Sequence, residues 1–166
     1  PYTTLFRSTW RFNLGLPVQL HIGAPIDASR YSPEQLPELI RLARRVEQVH
    51  GDRPDCPRGL ANHLESMLQE LATHMLKEEQ ILFPMLMHTS PATAGSPIAV
   101  MRHEHDQHGE TLRTLEALTD DITPPADACN TWRALYTGLR QLRDDLMEHI
   151  HLENNILFEV RTPVAA

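Results

Sequence analysis

The sequence HMLKEEQILF at residues 74–83 is repeated, with the same spacing of its key residues, as HIHLENNILF at residues 149–158. Both segments fit the pattern HxxxExxILF and lie 75 residues apart in a chain of 166. A spacing of four places the histidine and the glutamate of each segment on the same face of a helix. The repeat therefore predicts two similar helix pairs, each carrying one His–Glu set.

Apolar residues lead up to each copy at alternating intervals of four and three, which is the rhythm of a helix packed in a bundle. Ser32 and Gln35 form a capping box that predicts the start of the first helix, and Gly51 marks its end. Pro84 is expected to kink or fray the last turn of the second helix. The predicted helices cover 32–50, about 59 to the mid-80s, 98–122 and 132–160.

Four amphipathic helices with short connections predict an all-α, up-down-up-down four-helix bundle over residues 32–162. No alternating strand pattern competes with this interpretation. Residues 1–31 contain repeated glycine and proline and are expected to be an irregular lead-in. Residues 1–8 fit no period and resemble a translated sequencing-adaptor remnant more than native protein.

The composition excludes several classes of protein. A net charge of −7 argues against nucleic acid as a partner. No apolar run is long enough for a membrane span, and no secretory signal is visible, so a cytoplasmic location is expected. The two cysteines, Cys56 and Cys129, form no CxxC pair and are expected to be free thiols. The sequence leaves open whether the chain forms a homodimer.

Polar residues occupy seam positions of three helices where leucine would be expected. A buried carboxylate needs a partner, and these seams carry almost no lysine or arginine, so a metal cation is the expected partner. In an up-down bundle the second and fourth helices run parallel and the third runs back, which brings their polar residues to one level. The polar seam residues are His74, Glu78, His105, His108, His149 and Glu153.

Imidazole and carboxylate donors without thiolate suit iron or manganese, and zinc and copper stay open on ligand type. His108 lies one turn beyond His105 and is left open as a ligand, a hydrogen-bond donor to a ligand, or a polar core residue. His103 and His151 are expected to face solvent, as are Asp144 and Asp145. The predicted metal ligands are His74, Glu78, His105, His149 and Glu153.

Four segments carry a family resemblance: HMLKEEQILFPM (74–85), MRHEHD (101–106), TPPADACNTWRALY (123–136) and DDLMEHIHLENNILF (144–158). Over about residues 33–160 the sequence resembles the iron–sulfur cluster repair di-iron proteins of the RIC/ScdA type, a hemerythrin-like family. The resemblance implies a hemerythrin-like bundle with a non-haem di-iron centre. It implies a role in restoring iron–sulfur clusters damaged by nitric oxide or peroxide, with the damaged proteins as partners.

By motif position the resemblance implies His74, His105 and His149 as terminal ligands and Glu78 and Glu153 as bridging carboxylates. Two departures from the family pattern stand out. The family usually carries an N-terminal cysteine-containing domain, which has no counterpart in this sequence. The family also places a ligand histidine at the start of the first helix, where this chain has Ser29 and Ser32, and His21 is the only nearby candidate.

Two other functions compete with cluster repair. A hemerythrin-like module that binds or senses oxygen or nitric oxide would use the same bundle and the same ligands. A ferritin-type oxidase is disfavoured, because such enzymes use more carboxylates and an ExxH spacing rather than HxxxE. A conventional hydrolase is poorly supported, since no nucleophile–histidine set follows from the spacing. We therefore expect an iron-donating or repair protein more than a conventional enzyme.

Overall fold

The computed structural model describes residues 35–88 and 95–158, and all regular structure within them is helical. One π-helical turn, Glu78–Leu82, joins the second α-helix to the third, and a second, Glu153–Leu157, extends the fifth. No helix within the described ranges combines the length and apolar content that a bilayer crossing requires. The α-helices are α1 (Gln35–His50), α2 (Leu60–Lys77), α3 (Phe83–His88), α4 (Gly95–Leu118) and α5 (Asn130–Leu152).

The four long helices pack as a closed ring in which α1 contacts α2 and α5, and α4 contacts the same two helices. The predicted all-α four-helix bundle is confirmed. The start of the predicted first helix and the whole lead-in of residues 1–31 lie outside the described residues, including His21, Ser29 and Ser32.

Leucine, alanine and aromatic side chains from all four long helices form the main core, which Trp132 and Tyr136 help to fill. A second, smaller apolar cluster lies on the far side of the polar seam residues from the main core. The polar seam residues separate the two clusters, because they follow Leu71 on α2 and precede Leu82 in the first π turn. The small cluster consists of Leu82, Leu86, Met101 and Phe158.

The seam of the second helix changes register at the first π turn, where the Phe83 N–H donates to the Glu78 carbonyl. A π turn contains one residue more than an α turn, so every later side chain is rotated around the axis. The predicted burial of Ile81 is therefore wrong: Ile81 is 53% exposed, whereas Leu82 is 1% exposed. Met85, also predicted on the seam, is only half-buried.

The second copy of the repeat makes the same turn, since the Phe158 N–H donates to the Glu153 carbonyl over 2.9 Å. Phe158 is buried as a result, whereas the predicted seam residue Ile156 is half-buried. Pro84 follows the first π turn but Glu159 holds the matching position in the second copy. The turn therefore belongs to the shared ExxILF segment and does not depend on the proline.

The fourth α-helix ends at Leu118, four residues before the predicted end at 122. The Thr119 hydroxyl donates to the Leu115 carbonyl over 2.7 Å and accepts the Ile122 N–H over 3.1 Å, which replaces helical hydrogen bonds. Asp120, Asp121 and Ile122 adopt left-handed φ values of 51°, 54° and 52°. Burial of Ile122 offsets this strained conformation, since its side chain is 0% exposed.

Arg53 links the two loops at the distal end of the bundle. We define this distal end as residues 51–59 and 119–129. The Arg53 guanidinium donates to Asp55 and to Asp127 at distances from 2.7 to 2.9 Å. It also lies over the Trp132 ring, 5.2 Å from the ring centre. Cys129 is exposed and Cys56 is buried, and both are free thiols as expected.

Candidate metal centre

The five predicted ligand residues meet between α2, α4 and α5. Each offers one nitrogen or oxygen atom, and these five atoms all lie within 4.8 Å of one another. Four of the residues are buried and His149 is half-buried. The two His–Glu sets enter from the ends of α2 and α5, where each π turn begins at the glutamate. The five residues that meet in this cluster are His74, Glu78, His105, His149 and Glu153.

The Nε2 atoms of the three histidines point into the cluster. His74 Nε2 lies 3.1 Å from His105 Nε2 and 3.1 Å from Glu78 Oε1. His105 Nε2 lies 3.2 Å from Glu153 Oε2, and His149 Nε2 lies 3.6 Å from the same oxygen. Three nitrogens and two carboxylate oxygens therefore face a common centre.

Two outer side chains set the orientation of two of these rings. His74 Nδ1 lies 2.8 Å from Glu104 Oε2, and His105 Nδ1 lies 3.0 Å from Asn154 Oδ1. An ionised carboxylate and an amide oxygen can only accept, so each Nδ1 carries the proton and donates it. Each Nε2 then presents a lone pair to the cluster, which is the arrangement of metal-binding histidines. Lys77 forms an ion pair with Glu104 on its outer side.

Two carboxylate oxygens at the centre of the cluster have no donor. Glu78 Oε1 and Glu153 Oε2 are buried and have no hydrogen-bond partner. The His74 and His105 Nε2 atoms face each other at 3.1 Å, and both present lone pairs. Such a set of convergent lone pairs is repulsive unless a cation lies among them. The residues therefore fit a metal bound through nitrogen and oxygen, the donor types that iron, manganese and zinc accept.

The pKa values in the metal-free cluster follow from burial and from the neighbouring charges. Burial and the neighbouring Glu78 carboxylate together raise the pKa of Glu153 to about 10. Burial opposes the charged form of Glu78, but the neighbouring histidines and a hydrogen bond from protonated Glu153 together lower its pKa. Burial lowers the pKa of His149 to about 4. At neutral pH the metal-free cluster thus holds a neutral His149 and a proton shared by the two glutamates.

Three of the four solvent predictions are confirmed and one is wrong. His103 and His151 are exposed, as their offset from the seam predicts. Asp144 is exposed but Asp145 is buried, at 8% exposure, where it accepts a hydrogen bond from the Gln141 side chain over 2.7 Å. The reason is helical phase, because Asp145 lies one turn before His149 on the inner face of α5.

Glu104 and Asn154 are the functional residues that the sequence interpretation missed. Each is the immediate neighbour of a predicted ligand, and a one-residue offset moves a side chain about 100° around the helix. That offset points them at the adjoining helix, where each reaches the Nδ1 of a histidine from another element. The sequence did contain a signal for these two residues, since each is a polar side chain directly beside a predicted ligand.

The comparison with protein families agrees with this geometry. The hemerythrin HHE cation binding domain matches residues 33–160, which is most of the chain. The chain belongs to the hemerythrin HHE domain family. This hemerythrin-type assignment covers all the described helices, both copies of the repeat and both π turns.

Curated relatives of this hemerythrin-type chain are named for cluster repair. The chain is 59% identical over 125 residues to the iron-sulfur cluster repair protein YtfE of Yersinia pseudotuberculosis serotype O:1b (strain IP 31758). It is 58% identical over 125 residues to the protein of the same name from Yersinia pestis (strain Pestoides F). Each alignment covers 75% of this chain and 57% of the relative, so the chain matches little more than half the length of these relatives. The resemblance to iron–sulfur cluster repair proteins is confirmed.

Proposed function

We propose that this chain binds a non-haem di-iron centre and uses it to repair iron–sulfur clusters damaged by nitric oxide or oxidation. One observation carries the proposal: three histidine nitrogens and two buried carboxylates converge, and one oxygen of each carboxylate has no hydrogen-bond partner. The names of the relatives with 58–59% identity support repair as the use of such a site. The proposed ligands are His74, Glu78, His105, His149 and Glu153.

Each residue has a defined task in this proposal. The three histidines would hold the iron through Nε2, and the two glutamates would supply carboxylate oxygens to it. Glu104 and Asn154 hold two of the rings in the ligating tautomer through Nδ1. Glu153 must release the proton that burial favours, so metal binding and proton release are coupled. When bound, the iron pair would supply one-electron redox chemistry and a store of exchangeable iron.

The iron itself is the cargo of the proposed repair reaction. A damaged cluster that has lost iron would receive it from this chain, and the recipient protein is therefore the expected partner. His149 is the most exposed of the five side chains, since its residue is half-buried while the other four are buried. Exchange of iron with a partner is accordingly expected on the α5 side of the cluster.

The first test of the proposal is the metal content of the anaerobically purified chain. We expect close to two irons per chain in the wild type and a clear loss in His149→Ala. His151→Ala is the matched control, because His151 is exposed on the same helix two residues away. A stable, folded wild-type chain that binds no iron would overturn the di-iron proposal. About one iron per chain would contradict the two-ion centre alone.

The second test separates cluster repair from reversible binding of oxygen or nitric oxide. A [4Fe–4S] protein is damaged with nitric oxide and incubated with the ⁵⁵Fe-loaded chain, without other iron. Repair predicts that the label appears in the recipient together with its cluster absorption. A binding or sensing module would instead retain the label while its own spectrum responds to the gas. Glu153→Leu should abolish transfer, and His151→Ala should leave it unchanged.

A further inference from the structure

His108 is a buried histidine that the five-residue cluster does not include. It is 5% exposed, and its Nδ1 atom makes no hydrogen bond. Within residues 35–88 and 95–158, three of the four buried side-chain polar atoms without a partner belong to His108, Glu78 and Glu153. A buried nitrogen without a hydrogen bond destabilises a protein, so this position requires a physical reason.

The ring of His108 lies about as close to two of the cluster histidines as the cluster histidines lie to one another. Its centre is 4.7 Å from that of His74 and 6.4 Å from that of His105. The separations among His74, His105 and His149 are 4.9, 6.0 and 6.3 Å. Imidazoles that share one ion, with metal–nitrogen bonds of about 2.1 Å, place their ring centres about 4.5–6.5 Å apart.

We propose that His108 is a sixth protein ligand of this metal centre. Its nitrogens lie outside the group of five converging atoms, so its ring must turn about its side-chain bonds to bind an ion. His108 shares the inner face of α4 with His105, because residues three apart lie one above the other. With His108, six donors would come from α2, α4, α5 and the two π turns, without a ligand from the first helix.

The inference rests on the proposed metal centre, and Co²⁺ tests both because its visible absorption reports the number and type of its ligands. The metal-free full chain is titrated with Co²⁺ as wild type and as His108→Leu. We expect the variant to bind Co²⁺ about 10-fold more weakly or worse, with shifted absorption bands. His103→Leu is the matched control, since His103 is exposed on the same helix and should change neither quantity.

A second variant addresses the case in which leucine disturbs the packing. His108→Ala leaves a cavity of imidazole size, and added imidazole should restore the wild-type Co²⁺ spectrum if a ligand has been lost. Thermal melts of the metal-free variants provide the folding control. We expect His108→Leu to melt at or above the wild-type temperature, because it removes a buried nitrogen that has no hydrogen bond.

The outcomes distinguish a failure of the His108 inference from a failure of the proposed metal centre. A wild-type chain that binds no Co²⁺ would overturn both the metal centre and the role of His108. Normal affinity and spectrum in His108→Leu would overturn only the role of His108. Weaker binding with unshifted bands and no recovery with imidazole would mean that His108 merely positions His74, which also overturns ligation.

Discussion

The two ends of the bundle differ in whether their charged side chains have partners of opposite charge. At the distal end, one arginine satisfies two aspartates, and its guanidinium also covers the ring of Trp132. At the cluster, two glutamates meet three histidines, and neither a lysine nor an arginine is among the five converging residues. The distal end is therefore complete as a protein structure. In the cluster, one oxygen of each glutamate has no hydrogen-bond partner and the residues fit a bound cation, which makes it the candidate functional end.

The largest effect is expected where a carboxylate of the cluster is removed. Glu153→Leu should abolish metal binding and raise the free energy of unfolding of the metal-free chain by about 1–3 kcal/mol. The gain arises because a buried oxygen without a hydrogen bond disappears. Metal titration and urea unfolding of the metal-free protein measure the two effects.

Glu148→Leu provides the matched control for this experiment, since Glu148 is exposed on α5, the helix that leads into Glu153. The control should bind metal normally and change stability little. A metal-free Glu153→Leu chain that is less stable than wild type would contradict the view that the cluster is strained without its ion.

A smaller effect is expected from the residues that orient the histidines. Glu104→Ala should weaken metal binding about 10–100-fold, because the His74 ring loses the acceptor that holds its Nδ1 proton. The measurement is competition with a chelator of known affinity. Glu110→Ala, an exposed residue on the same helix, should bind like wild type. Equal metal affinities in Glu104→Ala and Glu110→Ala would show that Glu104 does not support the metal site.

The distal end should respond to mutation independently of metal. Arg53→Met removes the ion pairs to Asp55 and Asp127 and should lower Tm slightly, by the same amount with and without metal. Differential scanning calorimetry of both forms checks this. A loss of metal affinity in Arg53→Met would show that the two ends are coupled.

The smallest expected effect is a pH dependence of the Tm difference between wild type and Arg53→Met. The hydrogen bonds from Arg53 lower the pKa of Asp55 and of Asp127 below their ordinary value of 3.8. A lowered pKa in the folded state contributes stability above the ordinary pKa, and this contribution is lost as the pH falls through the folded value. The Tm difference between wild type and Arg53→Met should therefore be constant near neutral pH and shrink below about pH 4. An unchanged difference at pH 3 would contradict an ionic origin.

The sequence was a reliable guide wherever helical periodicity alone decides. The seam of α1 is buried as predicted, with Leu36, Leu39, Ala43 and Val46 all inside. Periodicity failed where the backbone leaves the α-helix. The first π turn exposed Ile81 and buried Leu82, and nothing in the spacing of apolar residues announces an extra residue in a turn.

The orientation of the cluster histidines also lay beyond the sequence. The acceptor for His74 Nδ1 comes from α4, and the acceptor for His105 Nδ1 comes from the second π turn. Which side chain reaches a ring from a neighbouring helix depends on the rotation and offset of two packed helices. Those quantities are set by the whole core and have no local signature.

By itself, then, the sequence determined the bundle and the choice of polar seam residues, because a fixed rise and a fixed period operate within each helix. Tertiary structure alone decided that five donor atoms meet within 4.8 Å, that Nε2 rather than Nδ1 faces the centre, and that His108 lies beside them. The physical reason is that these are distances between helices. They depend on how four surfaces pack together, which no single stretch of sequence specifies.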